Sequence, residues 1–169
     1  MFSCEGAYYL RHMKIFFWSV GSKHSSYVHE GIDEFSGRIS HYFSCEWKII
    51  APPKNASSIS QSEQKDAESK ALLDALDPID YVVLLDERGK MLSSPKLAQI
   101  ISERALNGAK KIHFVIGGAF GVNEELRKRA DLVWQLSQLV FPHQLVRLIL
   151  AEQVYRACTI LKNEKYHHS

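Results

Sequence analysis

Phe114-Val115-Ile116-Gly117-Gly118-Ala119-Phe120-Gly121 is a short apolar run that breaks into a glycine turn, with Asn123-Glu124-Glu125 close behind. An apolar run closed by glycines reads as a buried strand ending in a tight turn, and Asn before two acids reads as the capped start of a helix. A strand, a turn and a helix in that order form the repeating step of an α/β fold. The turn is neither a Walker loop, which needs Gly-Lys-Ser/Thr, nor the Gly-x-Gly-x-x-Gly dinucleotide fingerprint. Glu124 and Glu125 already complement the helix dipole where a phosphate would sit, which argues against a phosphate cradle. Paired glycines still offer bare backbone to an adenine or an amino-acid moiety. The plainer alternative is a tight connection with no ligand at all.

Outward from that turn, strands are expected at Lys14–Val20, 46–51, 80–86, Lys111–Ile116 and 132–136. Helices are expected at 25–41, 60–76, 95–106, Glu124–Arg129 and 142–161. In the first of these, Val28, Ile32, Phe35 and Ile39 recur at three or four residues and give one apolar face. The alternation predicts an α/β fold, a mainly parallel sheet with helices on both faces. Pro52-Pro53-Lys54-Asn55-Ala56-Ser57-Ser58 reads as a loop, and the polar run from there to Lys70 as a mobile arm. Without repeats or a second compositional block, residues 13–169 read as one domain, with residues 1–12 as a flexible extension.

The chain of 169 residues can bury one substantial core, and its formal charge of +2 is too small to argue for nucleic-acid binding by itself. Cys4, Cys45 and Cys158 are odd in number and widely spaced, so free thiols and a reducing cytoplasm are expected, with no metal site. No apolar run approaches the roughly 20 residues needed to cross a bilayer.

A second motif, Leu136-Ser137-Gln138-Leu139-Val140-Phe141-Pro142-His143-Gln144-Leu145-Val146-Arg147, runs from a loop through Pro142 into a long helix. That helix is apolar nearly all round, which predicts burial on more than one side and a homodimer that covers it. Glu152 and Arg156 have the spacing of a helix ion pair. Val82-Val83-Leu84-Leu85-Asp86-Glu87-Arg88 reads by spacing as a buried strand breaking into a charged turn. The ending Lys165-Tyr166-His167-His168 sets an aromatic between cations, a combination that suits RNA, although a solvated tail is the simpler reading.

Together the glycine turn, the Leu136 to Arg147 stretch and the tail from Tyr155-Arg156 to Tyr166-His167-His168 resemble the RlmH family. These are SPOUT-class methyltransferases that act on pseudouridine in large-subunit ribosomal RNA. The resemblance spans nearly the whole chain and begins at Met13, where the family's first strand starts. It implies a C-terminal trefoil knot, a homodimer, and S-adenosylmethionine as methyl donor. Three stretches would hold that donor: Leu85; Gly117 with Gly118; and Leu136, Ser137, Gln138, Leu139, Val140 and Phe141. It also implies methylation of N3 of a pseudouridine on the assembled ribosome. That nitrogen holds its proton at neutral pH, so His143, Tyr166 and His167 are candidates for proton transfer, and Arg147 and Arg156 for stabilising the anion or holding phosphate. The family's tail ends Pro-Tyr-His-Lys/Arg and reaches the active site; here Lys165 replaces the proline and His168 the final cation. Another RNA acceptor, or a ribosome-binding factor without turnover, are the alternatives.

Overall fold

A computed structural model describes residues 12–166. Ten elements alternate along it: β1 (Lys14–Val20), α1 (Ser26–Ile39), β2 (Ser44–Ile50), α2 (Gln61–Ala75), β3 (Tyr81–Met91), α3 (Ser94–Leu106), β4 (Lys111–Ile116), α4 (Glu124–Arg129), β5 (Leu132–Gln135) and α5 (His143–Leu161). The five strands form one sheet in the order β2-β1-β4-β3-β5, and every pairing is parallel. The extension expected over residues 1–12 lies, His12 apart, outside the described residues.

Alternation along each strand assigns the two faces. Ile15, Phe17, Val83, Ile112, Phe114 and Trp134 point to one side, where they pack with Leu97, Ile101, Leu150, Val154 and Ala157 of α3 and α5. Trp18, Val20, Val82, Leu84 and Val115 point to the other, against Leu72 of α2 and Leu126 of α4. Parallel strands buried on both faces explain why β1 and β4 are nearly continuous apolar runs.

α5 lies between α1 and α3. A Cβ on Gly31 of α1 would fall 2.8 Å from Leu148 Cδ1, so the missing side chain sets how closely those two helices approach. All nineteen residues of α5 are buried or half-buried within the single chain. The near-complete apolar pattern is thus met in large part inside one molecule, and does not by itself call for a second copy.

Two expectations need correction. The stretch from 60 to 70 is no mobile arm: α2 starts at a capping box, in which Ser60 Oγ accepts from Glu63 N at 3.2 Å and Ser60 N donates to Glu63 Oε2 at 2.8 Å. Glu68, Ser69 and Leu72 of α2 are buried. β3 also runs past the charged turn. Its pairing with β5 shifts between Leu85 and Lys90, then resumes with Lys90 on Trp134 and Met91 on Gln135. Gly89 makes that rejoining possible, since a Cβ there would stand 2.6 Å from Val133 O and 2.7 Å from Gln135 N.

Candidate active site

In a parallel sheet all carboxyl ends lie along one edge, and there β4 and β5 end beside the point where β3 shifts register, with Leu85 paired to both Ile116 and Trp134. That irregular part of β3 and the loops leaving β4 and β5 enclose a cleft of about 790 Å³, which His143 and Val146 of α5 also line. Leu85, Gly117, Gly118, Leu136, Ser137, Gln138, Leu139, Val140 and Phe141 all line it, although they come from three separate parts of the chain.

The glycine turn is shaped by what stands behind it. A Cβ on Gly117 would fall 2.5 Å from Val122 Cγ1, and one on Gly118 would coincide with the Glu68 carboxylate. Gly121, at φ 74°, closes the turn with its N–H on the Gly118 carbonyl at 3.0 Å. Asn123 then caps α4, its Oδ1 accepting from Leu126 N at 3.0 Å, as its place before two acids predicts. Across the cleft, Ser137 Oγ accepts from Leu139 N at 2.9 Å and holds the second loop in a tight turn. Leu139 and Val140 are 72% and 92% exposed, and Phe120, which lines the same cleft, is a third exposed apolar side chain. Asp86 is bound by Arg88 at 3.1 Å and Arg127 at 3.2 Å, so its charge is neutralised in place.

His143 joins two of the loops. Since a carbonyl only accepts, the 2.6 Å contact to Gly117 O fixes the proton on Nε2 and leaves Nδ1 with the lone pair. Burial is the main influence on the ring and lowers its pKa below the ordinary histidine value; the Arg147 charge pushes the same way, while the Gly117 bond and Glu68 push back.

Arg147, one turn further on, is fully buried without a carboxylate partner among the described residues. Its Nε donates to Ser19 Oγ at 2.9 Å, Nη1 to Ser22 O at 2.9 Å and Nη2 to Val20 O at 3.3 Å. The expected anion-binding arginine is therefore also the clamp on the end of β1. A Cβ at Gly21, whose φ is 131°, would lie 3.0 Å from Nη2, and the same point lies 4.0 Å from His143 Cε1.

Arg156 and Tyr166 stand elsewhere. Arg156 pairs with Glu152 at 2.6 Å and lies over the Tyr166 ring at 4.8 Å, while Tyr166 Oη donates to Glu152 Oε1 at 3.3 Å. Arg156 is thirteen residues beyond His143, which separates them by about 20 Å along the helix axis. One chain does not bring its five expected catalytic residues together; His167 lies outside the described residues.

Sequence reasoning missed Phe120, Trp134 and Val146 as cleft residues, and Glu68 behind the turn. A signal for Glu68 existed: it precedes Leu72 and Leu76 by four and eight residues, on the stripe that faces the sheet. Among the described residues no group of His, Cys, Asp and Glu could hold a metal ion, and no helix is long and apolar enough to cross a membrane.

A family model described as "Predicted SPOUT methyltransferase" matches residues 13–167. Among similar proteins, the "Ribosomal RNA large subunit methyltransferase H" of Parabacteroides distasonis is 40% identical over 156 residues, covering 92% of this chain and 99% of that protein. The protein of the same name from Christiangramia forsetii is 46% identical over 134 residues, covering 79% and 85%. A third, from Desulfitobacterium hafniense, is 42% identical over 152 residues, covering 88% and 95%.

Proposed function

Because the chain belongs to the SPOUT methyltransferase family, and within it to the relatives named ribosomal RNA large subunit methyltransferase H, we propose that it methylates large-subunit ribosomal RNA from S-adenosylmethionine, at N3 of a pseudouridine. The observation that carries this reading is the convergence of Leu85, Gly117-Gly118 and the stretch from Leu136 to Phe141 on one cleft. Its volume suits a nucleoside-sized ligand, and its walls combine apolar side chains with open backbone. Of the carboxylates on its wall, Asp86 is paired with Arg88 and Arg127.

Bound there, S-adenosylmethionine supplies a methyl group on a sulfonium, open to in-line displacement. The residues of the chain do the rest. Once a second copy covers Leu139 and Val140, they and Phe141 would exclude water from the reacting atoms, so that placement supplies much of the rate. The N3–H proton must leave as the N3–CH3 bond forms and the S–CH3 bond breaks. His143 is held neutral, with Nε2–H on Gly117 O, so Nδ1 is the acceptor for that proton. Arg147 sets a buried positive charge beside it, which favours neutral imidazole and the anion of the acceptor base alike.

Arg156, Tyr166 and His167 act in this reading on the site of a second copy, because within one chain α5 holds Arg156 about 20 Å along its axis from His143, and Tyr166 packs on Arg156 and Glu152. A homodimer would also cover Leu139 and Val140. β5 lies outside β3, whereas α5 sits between α1 and α3, so the segment joining them must cross the β3–α3 connection. That crossing supports the trefoil knot. Residues 13–169 act as one cytoplasmic catalytic domain. A net charge of +2 leaves little for recognising free RNA, so the substrate is the assembled ribosome.

The test is methyl incorporation from labelled S-adenosylmethionine into ribosomes lacking the modification, followed by nucleoside analysis. Labelled N3-methylpseudouridine is expected. A different methylated nucleoside, or donor binding without incorporation, would move the acceptor, and no donor binding would leave a ribosome-binding factor.

A further inference from the structure

Glu68 is the one carboxylate of α2 that enters the protein interior, at 3% exposure. Its Oε1 accepts from Gln64 Nε2 at 2.8 Å, while Oε2 is buried and has no hydrogen-bond partner. No lysine, arginine or histidine forms an ion pair with it among the described residues. Asp86, the other buried carboxylate near the cleft, is held by two arginines. Placing an unpaired carboxylate in the interior is costly, and such a group calls for an explanation.

Its position supplies one. Oε2 occupies the space where the side chain of residue 118 would be, so the carboxylate lies directly against a glycine that lines the cleft. In the same dipeptide, Gly117 O is bonded by His143. The carboxylate's negative field reaches that ring and raises its affinity for a proton. The thin screen of two glycines thus lets a buried negative charge act on whatever fills the cleft.

We infer that Glu68 is a specificity-determining residue, a fixed counter-charge that favours a cationic sulfonium donor in the cleft over the neutral thioether left after transfer. The inference rests on the methyl-donor reading and deepens it. S-adenosylmethionine and S-adenosylhomocysteine share the adenosine, ammonium and carboxylate groups and differ at sulfur by one methyl and one positive charge. A carboxylate behind the glycine turn therefore discriminates between them without touching either. It would hold the donor and ease release of the product.

Calorimetric titration of both ligands into the full chain tests this without any turnover. With Glu68→Gln, which keeps the shape and removes the charge, S-adenosylmethionine should bind about tenfold more weakly and S-adenosylhomocysteine nearly as before. Glu68→Asp, which keeps the charge, should restore most of the preference. Equal weakening of both ligands would make Glu68 merely structural and overturn the inference, as would no change. Carbon-13 spectra of the unsubstituted protein labelled at glutamate side-chain carboxyls need no variant to fold. One buried signal should move with S-adenosylmethionine and not with S-adenosylhomocysteine; a signal unmoved by either, or moved equally by both, would also overturn it. If the unsubstituted chain binds neither ligand, the methyl-donor reading falls first. Binding without discrimination removes only the role of Glu68.

Discussion

The two ends of α5 use arginine in opposite ways. Near its start, Arg147 is fully buried and gives its hydrogen bonds to Ser19, Val20 and Ser22, fixing the end of β1 beside His143. Near its end, half-buried Arg156 meets a carboxylate, Glu152, and a ring, Tyr166. A buried cation bonded to neutral acceptors keeps its charge available to the surroundings; a paired one spends it locally. The contrast separates a rigid site from a surface cluster on one helix.

Arg147→Met should produce the largest effect. It retains bulk but removes the Arg147 bonds to the Ser19 hydroxyl and the Val20 and Ser22 carbonyls, leaving Ser19 Oγ and Val20 O only their long 3.4 Å contact with each other, at about 1–3 kcal/mol for each buried group left poorly satisfied. A loss of about 4 kcal/mol in denaturant unfolding is expected, against under about 0.5 kcal/mol for Glu152→Gln at the other end. Equal losses from the two variants would erase the contrast.

His143→Gln comes next. It can still donate to Gly117 O but offers no basic nitrogen, so kcat should fall by about a hundredfold or more. Donor affinity, measured by calorimetry, should change little. A matched loss in donor affinity would reduce His143 to a prop for the glycine turn.

Acid should reach the start of α5 before its end. His143 and His24 both have pKa values lowered chiefly by burial, and so has His113 within the central strand β4. A histidine whose pKa is depressed on folding binds fewer protons folded than unfolded, so its contribution is complete above the unfolded value of about 6.5 and is lost as pH falls below it. Chemical-denaturation midpoints should therefore rise from pH 5 to 6.5 and then level off. His143→Gln should flatten part of that slope, and Arg156→Gln should leave it unchanged. Stability that peaks near pH 5 would contradict the burial assigned to these rings.

How much of this was legible follows from the same physics. β1 and β4 match their expected limits because both faces are covered, and a continuous apolar run has few other readings. β3 exceeded its expected end because Asp86, Glu87 and Arg88 look like a turn, and only the close approach of Gly89 to β5 shows the strand resuming. The cleft residues were named through resemblance; spacing alone would have left Leu85 and Leu136 as ordinary strand ends. Glu68 went unread because a carboxylate in a polar helix looks solvated, and its burial depends on a glycine fifty positions away. The separation of Arg156 from His143 is simple helix geometry, but a tail that reaches an active site says nothing of whose.

The smallest stability effect then carries the sharpest test of that question. Arg156→Gln removes an ion pair whose partners are both half-buried, and should lower stability by only about 0.5 kcal/mol. If the cluster of Glu152, Arg156 and Tyr166 serves only its own helix, activity should fall no further than stability does. If it serves the site of a second copy, activity should fall far more than stability. Refolding a mixture of Arg156→Gln and His143→Gln chains would then regain activity, because a mixed dimer has one site with an intact His143 facing an intact Arg156. In a random mixture half the dimers are mixed, and half of their sites are whole, which gives about a quarter of the unsubstituted activity if assembly is unbiased. Failure to regain activity would confine the two ends of α5 to separate tasks in one chain.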